Sequence, residues 1–216
     1  MLCYLHTHLI PFTHDSRLFD AGHNAVLSRR LLCVSPGNRW YTFAMEKTLA
    51  VINQLEQEGL IGRYAIGGAI AATRYIEPVQ TYDLDIFVIL PVEPSGLISL
   101  TPIYTYLTQR GHPPQGEAIV IEDWPVQFLP VYDELTEEAL VEAVEVKFGS
   151  TPTRVLSAEH LAAIMLKTGR PKDHARLIQF FELNALNKAT LEEIIARHSL
   201  TPQWESFRRR FLEENG

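Results

Sequence analysis

Ile66-Gly67-Gly68-Ala69-Ile70, followed by Thr81-Tyr82-Asp83-Leu84-Asp85-Ile86-Phe87-Val88-Ile89-Leu90, is the stretch whose reading decides the fold. Its second half is rich in β-branched, aromatic and aliphatic residues and reads as a strand. Side chains alternate faces along a strand, so Asp83 and Asp85 point one way and Leu84 the other. Two carboxylates on one face of an otherwise apolar element repel each other and resist desolvation unless a cation sits between them. A hard divalent ion such as Mg²⁺ takes one or two carboxylates and completes its shell with waters and substrate phosphates. The glycine pair supplies the other half. Backbone amides with no side chain in the way, opening a helix, form a cradle for phosphate.

Outward from this stretch, Arg63 to Ile66 is a short strand leading into the glycines, and Ala69 to Ile76 is a helix ended by Pro78. The strand Tyr82 to Leu90 stops at Pro91 and the loop Glu93-Pro94-Ser95-Gly96. Ile98 to Arg110 reads as a helix with Gly111 at its C-terminal end. Glu117 to Ile121 and Val126 to Leu129 are strands joined by the hairpin Glu122-Asp123-Trp124-Pro125. Thr136 to Val144 is an amphipathic helix with Thr136 as its cap, and a short strand follows near Arg154-Val155-Leu156. From Ser157 onward the pattern is helical. Ser157 caps a helix to Lys167 or Thr168, Gly169-Arg170-Pro171 breaks it, and a second helix runs from Lys172 to about Leu186. Thr190-Leu191-Glu192-Glu193 is a capping box for a third, and Pro202 opens a fourth that ends in Arg208-Arg209-Arg210.

The chain has 216 residues, 46% of them hydrophobic, which suits one medium domain with a helical appendage. No apolar run is long enough for a membrane helix, and no secretory signal pattern opens the chain, so a cytoplasmic protein with no membrane partner is expected. The first 44 residues lack a sustained period and carry breakers at Pro11, Gly22, Pro36 and Gly37. They hold both cysteines, Cys3 and Cys33, and the pair His6-x-His8, without the close cysteine spacing of a zinc site. Met45 then opens a well-patterned helix from Glu46 to Gly59, with Leu49, Ile52 and Leu55 on one stripe. The expectation is that Met45 is the biological start and residues 1–44 a non-native or disordered extension. Without them Lys+Arg falls from 19 to 15 and Asp+Glu from 26 to 24, so the net charge moves from −7 to −9. Such an acidic domain is not built for sequence-blind binding to a phosphate backbone.

A Gly-Gly turn, a helix and an Asp-hydrophobic-Asp strand together resemble the signature of the nucleotidyltransferase superfamily, whose fold is similar to the palm of DNA polymerase β. Thr81-x-Asp83-Leu84-Asp85 and the run from Lys167 through Arg170 and Lys172 to Asp173 resemble the minimal bacterial nucleotidyltransferases. That branch includes abortive-infection toxins of type IV toxin–antitoxin systems. The resemblance covers about residues 45 to 186. It implies an α/β (α+β) fold: a nucleotidyltransferase-type mixed sheet flanked by helices over residues 45–156, followed by a C-terminal helical bundle over 157–216.

By this resemblance Gly67 and Gly68 hold a nucleoside triphosphate by backbone amides, and Asp83 and Asp85 bind the Mg²⁺ cofactor. Lys167 meets the phosphates, and Asp173 positions that lysine or the acceptor. Helix-dipole capping explains Lys167 and Asp173 equally well. Arg170, Lys172 and Arg74 read as solvated surface cations. His174 beside Asp173 does not face it on a helix, and Tyr104, Tyr106, Trp124 and Trp204 read as packing.

One departure from the family pattern concerns its third carboxylate, supplied from a neighbouring strand, where this chain has Gln127. An amide cannot abstract a proton. Either two carboxylates suffice, or Glu117 or Asp123 substitutes, or catalysis is lost and nucleotide binding remains. The expected activity is Mg²⁺-dependent transfer of a nucleoside monophosphate from an NTP to a hydroxyl. The acceptor is left open between a tRNA end, a protein and a small molecule, and an antitoxin is the implied protein partner. The alternative is a non-catalytic nucleotide- or partner-binding protein that retains the fold.

Overall fold

In the computed structural model, residues 39–77, 81, 83–92 and 98–213 are described, with side chains from Ala44 onward. The cysteine and His6-x-His8 features, and most of the expected extension, lie outside the described residues.

The first helix, α1, spans Arg39–Gln57. It begins upstream of Met45, because no breaker follows Gly37 to stop it. Met45, Leu49, Ile52 and Leu55 are all fully buried along one stripe, so the predicted apolar face is the one the sheet covers. The Thr48 hydroxyl donates to the carbonyl of Ile121 at 2.9 Å and pins this helix to the sheet.

Among the described residues, seven strands form one mixed sheet in the order β3-β4-β5-β2-β1-β7-β6. They are β1 (Tyr64–Ile66), β2 (Leu84–Val88), β3 (Pro114–Gln115), β4 (Ala118–Ile121), β5 (Trp124–Pro130), β6 (Val144–Phe148) and β7 (Thr151–Val155). At its centre β2 runs antiparallel to β1 and parallel to β5, and β1 runs parallel to β7. Flanking helices are α2 (Gly68–Ala72), α3 (Thr101–Gln109), α4 (Glu134–Val141), α5 (Ala158–Thr168), α6 (Pro171–Glu182), α7 (Lys188–Arg197) and α8 (Thr201–Phe207), the last continued by a π-helical turn, Arg208–Glu213. The expected mixed α/β sheet flanked by helices is therefore present. Among the described residues, no helix is long and apolar enough to cross a membrane.

Three local expectations are corrected. The cap of α4 is Asp133, whose side chain accepts from the amide of Thr136 at 3.1 Å, so the helix starts earlier than Thr136 and ends at Val141. An ionised acid at that position also suits the helix dipole. Beyond it, Val144-Glu145-Val146-Lys147-Phe148 is a strand, not a helix end. Its alternating pattern pairs with β7 around the turn Gly149-Ser150, where Gly149 takes φ +58°. Asn187, not Thr190, caps α7 by accepting from the Thr190 amide at 3.3 Å. Ser157 caps α5 as expected, and the expected break begins at Gly169, which takes φ +63° as the C-cap.

The helical region does not stand apart from the sheet unit: α5 packs against α2 and α4 as well as against α6, α7 and α8.

Candidate active site

The chain leaves β1 through Gly67 (φ −118°, ψ −153°) and enters α2 at Gly68, where φ is +55°. The amide of Gly67 donates to the carbonyl of Asp85 at 2.9 Å, which holds the bend against the start of β2. A Cβ at Gly68 would overlap the Asp85 carboxylate, and one at Gly67 would overlap the Phe87 ring. Glycine is required here twice over, by the left-handed backbone at Gly68 and by the close approach of β2.

Along β2 the faces separate as the alternation predicts. Leu84, Ile86 and Val88 are buried, while Asp85 and Phe87 are half-buried on the other face, and Asp83 just before the strand is half-buried too. The buried Thr81 fixes Asp83 by donating its hydroxyl to Oδ1 at 3.1 Å. Burial, then the neighbouring Asp83 charge, push the Asp85 carboxyl up to about 6, against the opposing pull of Lys172, Arg170 and Arg176. Two acids are thus electrostatically coupled in a partly desolvated place, with three cations near enough to act on them.

Those cations come from the start of α6. Asp173 is almost wholly buried and accepts from Arg170 through both oxygens, from Nε at 2.7 Å and Nη2 at 3.2 Å, while Arg176 Nη1 lies 3.9 Å away. The Arg170 pKa is raised, first by these hydrogen bonds, then by the charges of Asp173, Asp85 and Asp83. Asp173 therefore holds Arg170 and lies beside Arg176, and both cations act on the Asp85 charge. Arg176 did not stand out in the sequence. The usable signal was its i,i+3 spacing from Asp173 on one helix face.

Lys167 is placed elsewhere. Its Nζ pairs with Asp133 Oδ1 at 3.1 Å, the acid that caps α4, and it is absent from the cations acting on Asp85. Arg74 interacts with Tyr75, and His174 lies against the rings of Phe207 and Phe211. Trp204 stacks on Phe181, and Trp124 is buried in the core, both as packing residues.

Gln127 is the register partner of Asp85 on the parallel strand β5, so it occupies the neighbouring place on the same face. Its amide Nε2 donates to Glu117 Oε2 at 3.3 Å. Glu117 is not in β4 but in the two-residue turn between β3 and β4, behind Gly116 with φ +62°. Asp123 sits in the β4–β5 turn at φ +70° and is exposed, four residues before Gln127, or roughly 13 Å along an extended strand. Of the two acids weighed as substitutes for a third carboxylate, Glu117 is the one within reach of the Gln127 position.

Among the described residues, no group of three or more His, Cys, Asp or Glu side chains is arranged to hold a metal. The Asp83–Asp85 pair nonetheless fits Mg²⁺. Its donors are hard oxygens, a nearby cation would relieve the raised Asp85, and this ion needs only one or two carboxylates when phosphates complete its shell. The expected role of Gly67 is corrected, since its amide is taken by the Asp85 carbonyl; the Gly68 amide and the α6 cations are the complementary groups for those phosphates.

No protein-family model matches the chain, and no curated protein matches it in sequence. Three solved structures are similar to it at a TM-score of 0.46. The antigenic nucleotidyltransferase-like protein from Paracoccidioides brasiliensis is 14% identical, over 77% of this chain and 93% of that one. ANT(2'')-Ia in complex with adenylyl-2''-tobramycin is 17% identical, over 76% and 99%. The solution structure of the antibiotic-resistance factor ANT(2'')-Ia is 16% identical, over 79% and 96%. The first of these three is a nucleotidyltransferase-like protein, and the likeness to it is one of fold.

Proposed function

We propose that this protein is a Mg²⁺-dependent nucleotidyltransferase that moves a nucleoside monophosphate from an NTP to a hydroxyl acceptor and releases pyrophosphate. The observation that carries this reading is Asp85, half-buried against the Gly68 bend, coupled to Asp83 and faced by the cations of α6. Asp83 and Asp85 would hold the metal, whose chemistry when bound is to neutralise phosphate charge and keep attacking and leaving groups in line. The amide of Gly68 and the side chains of Arg170, Lys172 and Arg176 bind the triphosphate, while the Gly67 amide, committed to the Asp85 carbonyl, holds the bend in place. Asp173 positions Arg170 and Arg176 through its buried carboxylate. Lys167 serves the fold as a partner of Asp133. A toxin of a two-gene system, paired with an antitoxin, is the biological setting that the sequence resemblance suggests.

The test is incubation with each labelled NTP, Mg²⁺ and cell extract as acceptor source. The Asp83→Ala and Asp85→Ala variants should lose transfer by roughly 100-fold or more. Equal labelling in those variants overturns the assignment. The second reading, a nucleotide-binding protein without turnover, is favoured by one observation: Gln127 stands beside Asp85 where an acid would complete a triad. Calorimetry with an NTP and Mg²⁺ separates the two, since binding with no pyrophosphate release supports the second.

A further inference from the structure

Gln127 and Glu117 border an open depression of about 590 Å³ between α3 and the β3–β4–β5 edge of the sheet. Its polar lining comes from Thr101, Tyr104, Thr105, Glu117 and Gln127, and none of the residues lining it is Lys, Arg or His. Glu117 is held there from two sides. The Tyr104 hydroxyl donates to its backbone carbonyl at 2.7 Å, and Gln127 donates to its carboxylate. Gly116 makes the tight turn that lifts Glu117 out of the strand, so the carboxylate keeps solvent access while one oxygen is anchored. Through Gln127, the register partner of Asp85, this acid lies next to the Asp85 face.

We propose that the depression receives the acceptor and that Glu117 is the general base, an inference that rests on the nucleotidyl-transfer reading above. In the step, the acceptor oxygen forms a bond to the α-phosphorus of the NTP, and the bond from that phosphorus to the bridging oxygen breaks. The electron pair leaves with pyrophosphate, and the acceptor proton passes to the Glu117 carboxylate and then to water. A displaced base explains why Gln127 is an amide: it donates to the acid that does the work of the missing one. The lining sets the acceptor class. A carboxylate with hydroxyls and no cation suits a neutral or amine-bearing hydroxyl compound and repels a phosphorylated one.

The experiment measures pyrophosphate release from NTP and Mg²⁺ with glycerol as the hydroxyl probe, in the full-length protein. Glu117→Gln should lower turnover roughly 100-fold or more, with NTP affinity by calorimetry unchanged. The exchange variant carrying both Glu117→Gln and Gln127→Glu should regain at least about a tenth of the lost rate, because the base returns to the strand beside Asp85. Replacing glycerol by glycerol 3-phosphate should give no release above the water rate. Wild-type turnover retained in Glu117→Gln overturns the base assignment and leaves the transfer reading intact. NTP binding with no release from the wild type under any of these conditions sinks both.

Discussion

Asp85 is the residue on which burial and charge act most directly. An acid whose folded pKa of about 6 exceeds its ordinary 3.8 binds a proton more readily in the native state than in the unfolded chain. Its contribution to stability is therefore highest below about pH 4 and is lost as pH rises through 6. That difference corresponds to about 3 kcal/mol as an upper bound. In metal-free protein at pH 8, Asp85→Asn should be more stable than wild type by about 1–3 kcal/mol, with the gap closing toward pH 4. Urea denaturation of both proteins at the two pH values checks this, and a gap that does not change with pH refutes the burial account. The same substitution should abolish NTP turnover, so stability and function pull Asp85 in opposite directions. Glycine at 68 follows from the same contact, since any Cβ there would drive into that carboxylate.

Elements are tied together by a second carboxylate, Glu138 on α4. It accepts from His160 Nε2 on α5 at 3.2 Å, from Arg197 Nη1 on α7 at 2.6 Å, and from His198 Nε2 at 2.8 Å. Burial works to raise its pKa, but the hydrogen bonds from His198, His160 and Arg197 outweigh it and leave the pKa lowered. An acid depressed in the native state stabilises the fold above its ordinary pKa, and that contribution fades as pH falls below about 4.5. Glu138→Gln should cost about 1–3 kcal/mol at pH 7 and lose its effect in acid, read by denaturant midpoints. No change at pH 7 would mean that α4, α5 and α7 are joined by apolar packing alone. Ser157 shares this cluster through His160 Nδ1 at 2.9 Å. Its oxygen is already the α5 cap, accepting the His160 amide at 3.2 Å, so the serine–histidine–glutamate arrangement reads as a capped structural network, not a nucleophilic triad.

For the whole molecule, the net charge of −7 hides a separation of roles. The acids of β2 face a group of cations carried on α6, about ninety residues later in the chain. A ligand that bridges both should tighten the contact between the sheet and the helical region. An NTP with Mg²⁺ at about 100 times its Kd should raise stability by about 2.7 kcal/mol, seen as a higher Tm. Chelation of the metal should remove most of that gain, and Asp83→Ala should show little of it. An equal shift in that variant would place the nucleotide elsewhere.

Much of this was legible before any coordinates. The alternation around Asp83, Leu84 and Asp85 set strand and face, and the breakers and caps at Ser157, Gly169 and Pro171 set the helices, because these are local preferences of the backbone. The strand β6 was missed because its alternation follows directly on a helical pattern and its residues lie largely exposed at the sheet edge, where burial adds little signal. The pairing of Lys167 with Asp133, the placing of Arg170 and Lys172 opposite the acids, and the choice of Glu117 over Asp123 were beyond a reading along the chain. Whether a cation meets a phosphate site or a cap, and which acid stands beside Gln127, depends on how strands pair and helices return. Sequence alone determined the glycine bend and its two acids, since adjacent residues share one local geometry. Only the tertiary structure decided what surrounds them, because contacts between distant segments are set by packing and not by spacing.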